Sequence, residues 1–211
     1  MVAMSAGCGE PPRLDLSLLT GEPCEPPCWQ GLTPGVSTHE EVNEFIRTSR
    51  FVNPQTLHLS GLHRAGGQRV GVSISWRSTV GGGRGSNNFT VKGGVLEGIT
   101  IYPDYGLTLE RLMERYGPPE KYVANLSGYE RLWIDVTLFY PTHGFTVYLA
   151  LRPEDATLKP ESKVVSVWYF QAASLERFIE LQCEAGYLGG TPEKSLEPLQ
   201  DWQGYGAVEL D

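Results

Sequence analysis

The sequence predicts an α+β fold in which an amphipathic helix followed by a four-stranded antiparallel meander is used twice in tandem, with a third helix towards the C-terminus. Three observations lead there. Three stretches share a helix-start signature, and between them the hydrophobic period switches from about 3.6 residues to 2. The starts, at Ser37, Thr108 and Ser174, lie 71 and 66 residues apart. That is too close for a helix between every pair of strands, so the strands must pair as antiparallel meanders.

The first start reads Gly35-Val36-Ser37-Thr38-His39-Glu40-Glu41-Val42 and continues through Phe45 and Ile46. Ser37 is the expected N-cap, because a hydroxyl there accepts from a backbone N–H left unpaired in the first turn. Strands over Thr56–Ser60, Arg69–Trp76, Asn88–Lys92 and Val95–Tyr102 follow, with loops at Leu62–Gln68 and in the run Gly81-Gly82-Gly83-Arg84-Gly85-Ser86. The second start, at Thr108, sets Leu109, Leu112, Met113 and Tyr116 on one helix face and ends at Gly117-Pro118-Pro119. Strands over Lys121–Leu126, Arg131–Tyr140, Phe145–Leu151 and Lys163–Gln171 come next, with a hairpin turn at Pro141-Thr142-His143-Gly144. The third start, at Ser174, carries Leu175, Phe178 and Ile179 on its apolar stripe, with Cys183 on the same stripe as an expected buried thiol. Glu40, Glu41, Glu110 and Glu176 fall in first turns, where the helix dipole favours an acid.

Composition bounds the function classes. Glycine (25) and proline (15) among 211 residues exclude a long-helix protein, while 40% hydrophobic and 10% aromatic residues exclude a disordered one. With 17 Lys and Arg against 25 Asp and Glu the net charge is −8, which repels phosphate backbones, so no nucleic-acid partner is expected. The most apolar stretch, Leu132–Leu151, is broken by Asp135, Pro141, His143 and Gly144, so it does not read as a membrane span.

Residues Met1 to Cys8 are apolar and small and end in Ala6-Gly7-Cys8. They resemble the end of a bacterial lipoprotein signal peptide, whose cleavage leaves a lipid-bearing cysteine, although Ser5 stands where leucine is usual. The resemblance implies an extracytoplasmic bacterial protein whose membrane contact is a lipid anchor on Cys8 alone; an ordinary N-terminus with an unrelated cysteine is the alternative. Pro23-Cys24-Glu25-Pro26-Pro27-Cys28-Trp29 is expected to close a Cys24–Cys28 disulfide in an oxidising compartment. Zinc needs four N or S ligands, and no second Cys or His pair at ligand spacing accompanies these two, so no metal or cofactor is expected.

The boundaries that follow are 1–8, a remnant of the signal peptide; 9–29, a Pro-rich tether; 30–104 and 105–172, the two helix-and-meander repeats; 173–187, the C-terminal helix; and 188–211, an irregular acidic tail. The Gly-apolar-Ser/Thr helix starts, the acidic amphipathic helices, Tyr116-Gly117-Pro118-Pro119 and the meanders together resemble the repeat of the β-lactamase-inhibitor-protein-like fold. That group is similar to small outer-membrane lipoproteins of the SmpA/OmlA type, and the likeness covers about residues 30–172. It implies a concave sheet face that grips a protein partner, hence binding and not catalysis. The chain departs from the pattern in its longer Gly-rich loop after Trp76 and in having no cysteine between Cys28 and Cys183, so no disulfide within the repeats carries over.

Strand alternation sets Leu132, Ile134, Val136 and Leu138 on one face and Trp133, Asp135, Thr137 and Phe139 on the other. Tyr102, Trp133, Phe139, Tyr148 and Trp168 are therefore the expected binding residues, on an aromatic sheet surface that recognises a protein or cell-envelope component. These aromatics packing against the other repeat or the C-terminal segment is the alternative. Two other functions stay open: a small hydrolase or ligand-binding protein using the cleft between the repeats, and a structural envelope lipoprotein with no discrete site. For catalysis the sequence offers only His58, facing out of the sheet near a carboxylate such as Asp135; it has no His-Glu-x-x-His, no Gly-x-Ser-x-Gly and no phosphate loop at Gly81–Gly85.

Overall fold

A computed structural model describes residues 14–63, 67–79, 85–129, 131–186, 188 and 190–210. Its elements run α1 (Ser17–Thr20), α2 (His39–Thr48), β1 (His58–His63), β2 (Arg69–Trp76), β3 (Asn87–Lys92), β4 (Val95–Ile101), α3 (Leu109–Tyr116), β5 (Lys121–Ser127), β6 (Trp133–Tyr140), β7 (Phe145–Leu151), β8 (Thr157–Leu158), β9 (Ser166–Tyr169), α4 (Leu175–Ala185), α5 (Pro192–Leu196) and β10 (Gly206–Ala207). The fold is α+β. Eight strands form one sheet in the order β1-β2-β3-β4-β9-β7-β6-β5, antiparallel throughout, and β8 pairs with β10 apart from it.

A single row of paired residues crosses the whole sheet: His58, Ser75, Asn88, Thr100, Trp168, Thr146, Phe139 and Lys121. The residues that alternate with it, among them Ile74, Phe89, Ile99, Val167, Val147 and Leu138, are buried in the main core. Val42 of α2 and Leu109 and Leu112 of α3 are buried in that core too. The sheet order also separates His58 from Asp135. Five strands lie between β1 and β6, about 25–30 Å at the usual strand spacing, so this pairing, the one the sequence offered for catalysis but did not lead one to expect, does not form.

Local chemistry explains the helix starts. Thr108 accepts from Arg111 N, and Ser174 accepts from Arg177 N at 3.3 Å, each as an N-cap. The first helix is capped by Thr38 and not, as expected, by Ser37. Thr38 and Glu41 form a reciprocal capping box, with Glu41 N to Thr38 Oγ1 at 3.2 Å and Thr38 N to Glu41 Oε2 at 2.7 Å. Ser37 is 6% exposed; its hydroxyl accepts from Thr33 N at 3.0 Å and its carbonyl accepts from Leu96 N at 2.8 Å. Those bonds tie Ser37 to its own turn and to β4, and the helix begins one residue later.

Three other expectations shift. The first strand begins at His58 because Pro54–Thr56 forms a 3-10 turn, and β1 extends into the expected loop at Leu62. The last sheet strand shortens to Ser166–Tyr169, since Lys163 bridges to Thr108 and Val164 N bonds to Leu107 O. Cys183 is a free, half-buried thiol, its Sγ 3.6 Å from Ser195 Oγ, and not a core thiol.

The chain ends are more structured than expected. Residues 188–211 carry α5 and β10, and Trp202 meets the Tyr122 ring edge-on at 6.3 Å. In the expected tether, Leu18 is buried, Tyr116 donates its hydroxyl proton to Leu18 O, and Trp29 Nε1 donates to Asp15 Oδ2 at 2.6 Å. Cys24 and Cys28 are bonded, with Cα atoms 5.7 Å apart; Cys8 and Gly81–Arg84 lie outside the described residues. Among those residues no helix is long and apolar enough to cross a membrane. Replacing both Cys24 and Cys28 with serine is expected to remove about 2 kcal/mol of stability, the loop-entropy value for so short a loop. Urea titration measures it; an unchanged midpoint would show that Trp29 and Asp15 alone fix this segment.

Candidate functional site

The sheet face opposite the main core divides into two halves. Over β1–β4 it is polar: Asn88 Nδ2 donates to Ser73 Oγ at 2.6 Å, Thr90 Oγ1 donates to Asn88 Oδ1 at 3.1 Å, and Thr100 continues the row. Over β9, β7, β6 and β5 it is aromatic and lies beneath α4 and α5. There Phe139, Phe170, Leu175, Phe178 and Ile179 form a second apolar cluster. Phe170 stacks on Phe178 at 4.1 Å between centroids, and Trp168 lies 5.2 Å from Phe170 and 5.9 Å from Phe178.

The two layers do not close completely. A cleft of about 590 Å³ remains, floored by Val123, Thr137, Tyr148 and Trp168, walled by Phe178, Ile179 and Gln182, and rimmed by Leu188, Pro198 and Leu199. Trp168 lies over β4 because its neighbour there is glycine: a Cβ on Gly98 would stand 2.6 Å from the indole Nε1. Tyr148 donates its hydroxyl proton to the Asp135 carboxylate. Burial first, then that bond and the Asp135 charge, push the phenol's pKa above its ordinary value, which keeps it protonated and holds its proton within the protein. Gln182 is 8% exposed, and its Oε1 is buried with no hydrogen-bond partner among the described residues.

Of the five residues expected to bind, Phe139, Tyr148 and Trp168 line this cleft. Phe139 is also 8% exposed and stacked edge-on against Phe178 at 6.1 Å, so it holds the cleft together as much as it lines it. Tyr102 lies just beyond β4, its ring against Gly85 and its N–H donating to Asn87 Oδ1 at 2.8 Å. It lines a separate small cavity with Trp76 and Tyr105. Trp133 opens β6 beside Arg152 and Glu154, about 20 Å along the strand from Phe139. Alternation along a strand gives the face a residue occupies and not its neighbours along that face, which is why these two fall away from the other three.

Sequence reasoning missed Gln182 and the α4 wall. A signal existed: Gln182 interrupts the apolar stripe Leu175, Phe178, Ile179 one turn on, where a purely structural helix would carry another apolar residue. Among the described residues no group of three or more His, Cys, Asp or Glu is placed to hold a metal. Set against protein-family models, curated proteins and solved structures, the chain matches none.

Proposed function

We propose that this protein is a non-catalytic binding module that works outside the cytoplasm, held to the membrane by a lipid on Cys8, and captures a protein or another cell-envelope component in the cleft of its aromatic sheet face. The observation that carries this reading is the chemistry of the cleft. Its described lining joins Phe139, Tyr148, Trp168 and Phe178 to hydroxyl and amide groups and holds no carboxylate, imidazole, ammonium, guanidinium or thiol. Rigid aromatic surface supplies binding energy; hydrolysis by acid–base chemistry needs groups free to give and take a proton, and the titratable side chain in the described lining, Tyr148, is held protonated and bonded to Asp135. The Cys24–Cys28 bond supports an oxidising compartment.

The finer architecture we propose is a duplication, one unit over 30–104 and a second over 105–172. A matched pair of bonds supports it. In the first half Leu96 N donates to Ser37 O at 2.8 Å and His39 N to Gly94 O at 2.9 Å; in the second Val164 N donates to Leu107 O at 2.9 Å and Leu109 N to Ser162 O at 2.8 Å. Each helix start is thus tied in the same way to the chain at or just before the strand, β4 or β9, that pairs with the other half.

The test is capture from envelope extract by tagged wild type, by the Tyr148→Ala/Trp168→Ala double variant, and by Trp133→Ala. Wild type and Trp133→Ala are expected to retain the same component and the double variant to lose it. Equal recovery by all three contradicts the cleft as the capture site.

A further inference from the structure

We infer that the cleft is a pocket for a neutral, largely apolar small molecule carrying a hydrogen-bond donor, which the side-chain carbonyl of Gln182 accepts. The inference rests on the cleft being the capture site and names the class of its occupant. Three observations define that class. The volume, about 590 Å³, falls within the range of about 300–1,000 Å³ typical of small-molecule sites. The described lining is uncharged, so an ionic ligand would give up its water with no countercharge to meet it. Gln182 Oε1 is a buried acceptor without a partner, a state that native proteins avoid unless something else supplies the donor.

The neighbouring groups sharpen the polarity. Tyr148, the phenol on the cleft floor, already donates to Asp135; that leaves the Gln182 carbonyl, closed off as its side chain now lies, as the group a ligand meets once that side chain turns into the cleft, and the complementary ligand group is an N–H or O–H. The ring faces of Trp168 and Phe178 suit a flat aromatic or alicyclic body. Leucine or methionine at position 182 would extend the stripe of Leu175, Phe178 and Ile179 without burying an unpaired oxygen. Glutamine there is consistent with recognition and has no counterpart in the packing.

Phenylnaphthylamine is a suitable probe: two aromatic groups joined through one N–H, without charge. Its fluorescence, titrated with the full chain, reports binding. Wild type is expected to bind one molecule, and Gln182→Met, which keeps the shape and removes the acceptor, to bind it about three- to tenfold more weakly, the range of one neutral hydrogen bond. The N-methyl derivative of the probe, lacking the donor, is expected to bind wild type and Gln182→Met alike. Anilinonaphthalene sulfonate, the same skeleton with a charge, is expected to bind at least about tenfold more weakly than the neutral probe. Thr137→Trp, which fills the cleft floor, is expected to abolish neutral-probe binding. No probe binding, equal affinity in Gln182→Met, equal affinity for the sulfonate, or binding that survives Thr137→Trp overturns the inference. The capture experiment separates the two levels. A component lost from the Tyr148→Ala/Trp168→Ala variant while the probe fails leaves the capture site standing and the ligand class wrong; the reverse leaves a pocket that is not the capture site. A captured protein that excess probe does not displace also overturns the small-molecule class.

Discussion

Replacing Trp29 by alanine is expected to lower the free energy of unfolding by about 3–5 kcal/mol, the usual loss for a large buried aromatic. Trp29 is 1% exposed and lies at the centre of a ring cluster, with Phe45, Trp76, Phe89 and Phe51 at 5.3, 5.8, 5.9 and 6.3 Å between centroids. Those rings come from α2, β2, β3 and the segment before β1, so one side chain joins the helix layer to the sheet. The substitution also leaves the Asp15 carboxylate without the indole N–H that now donates to it at 2.6 Å. Single domains are stable by only about 5–15 kcal/mol, so a loss of this size is about a fifth or more of the total. Urea unfolding followed by far-UV circular dichroism measures it. Trp133→Ala, at the half-exposed start of β6, is expected to change stability by less than about 1 kcal/mol. A loss below about 1 kcal/mol for Trp29→Ala would show that residues 14–32 do not belong to the core.

Gly144→Ala is expected to cost about 2–5 kcal/mol, from two sources. Gly144 closes the turn between β6 and β7 with φ at +73°, in the left-handed region, where any other L-residue pays about 1–2 kcal/mol. An added Cβ would also stand 2.6 Å from Pro27 Cβ and 2.7 Å from Phe170 O, and overpacking of this kind adds about 1–3 kcal/mol. Gly106→Ala separates the two terms. Gly106 has φ at +65° and nothing within 4 Å of an added Cβ, so it is expected to show the backbone term alone. Equal losses at the two sites, read from urea midpoints, would mean that the Pro27 and Phe170 segments do not press on this turn. Because Phe170 stacks on Phe178, displacement of its backbone is expected to disturb the wall of the cleft as well.

Local physics made the helices readable. Thr108 and Ser174 cap because a hydroxyl before an acidic, amphipathic stretch has few other uses, and Gly117 ends α3 where Pro118 and Pro119 forbid continuation. Ser37 misled because its hydroxyl and carbonyl are engaged by Thr33 and by β4, the second a contact 59 residues away in sequence (Ser37 to Leu96). Strand alternation put Phe139, Tyr148 and Trp168 on a common face, yet it carried no information on what covers that face. The covering depends on α4 folding back over β6 and β7, and on Leu196 and Leu199 in a segment whose glycines and prolines masked its apolar spacing. The joining of β4 to β9 through Thr100 and Trp168 was equally hidden, since alternation within a strand does not name a partner 68 residues away (Thr100 to Trp168). Gly98 and Gln182 are the residues from which more was legible: a glycine inside a strand signals close approach, and an amide on an apolar helix stripe signals a polar task.

The measurement that bears most directly on the cleft as the binding site is capture from envelope extract by Thr137→Trp beside wild type. Thr137 faces the cleft from β6, paired with Tyr148 and Val123, and contributes nothing to the buried core. An indole there is expected to fill the cleft while circular dichroism and the urea midpoint stay at wild-type values. Loss of the captured component from this folded variant is the expected result; recovery of the same component in the same amount, with the cleft filled, would contradict it.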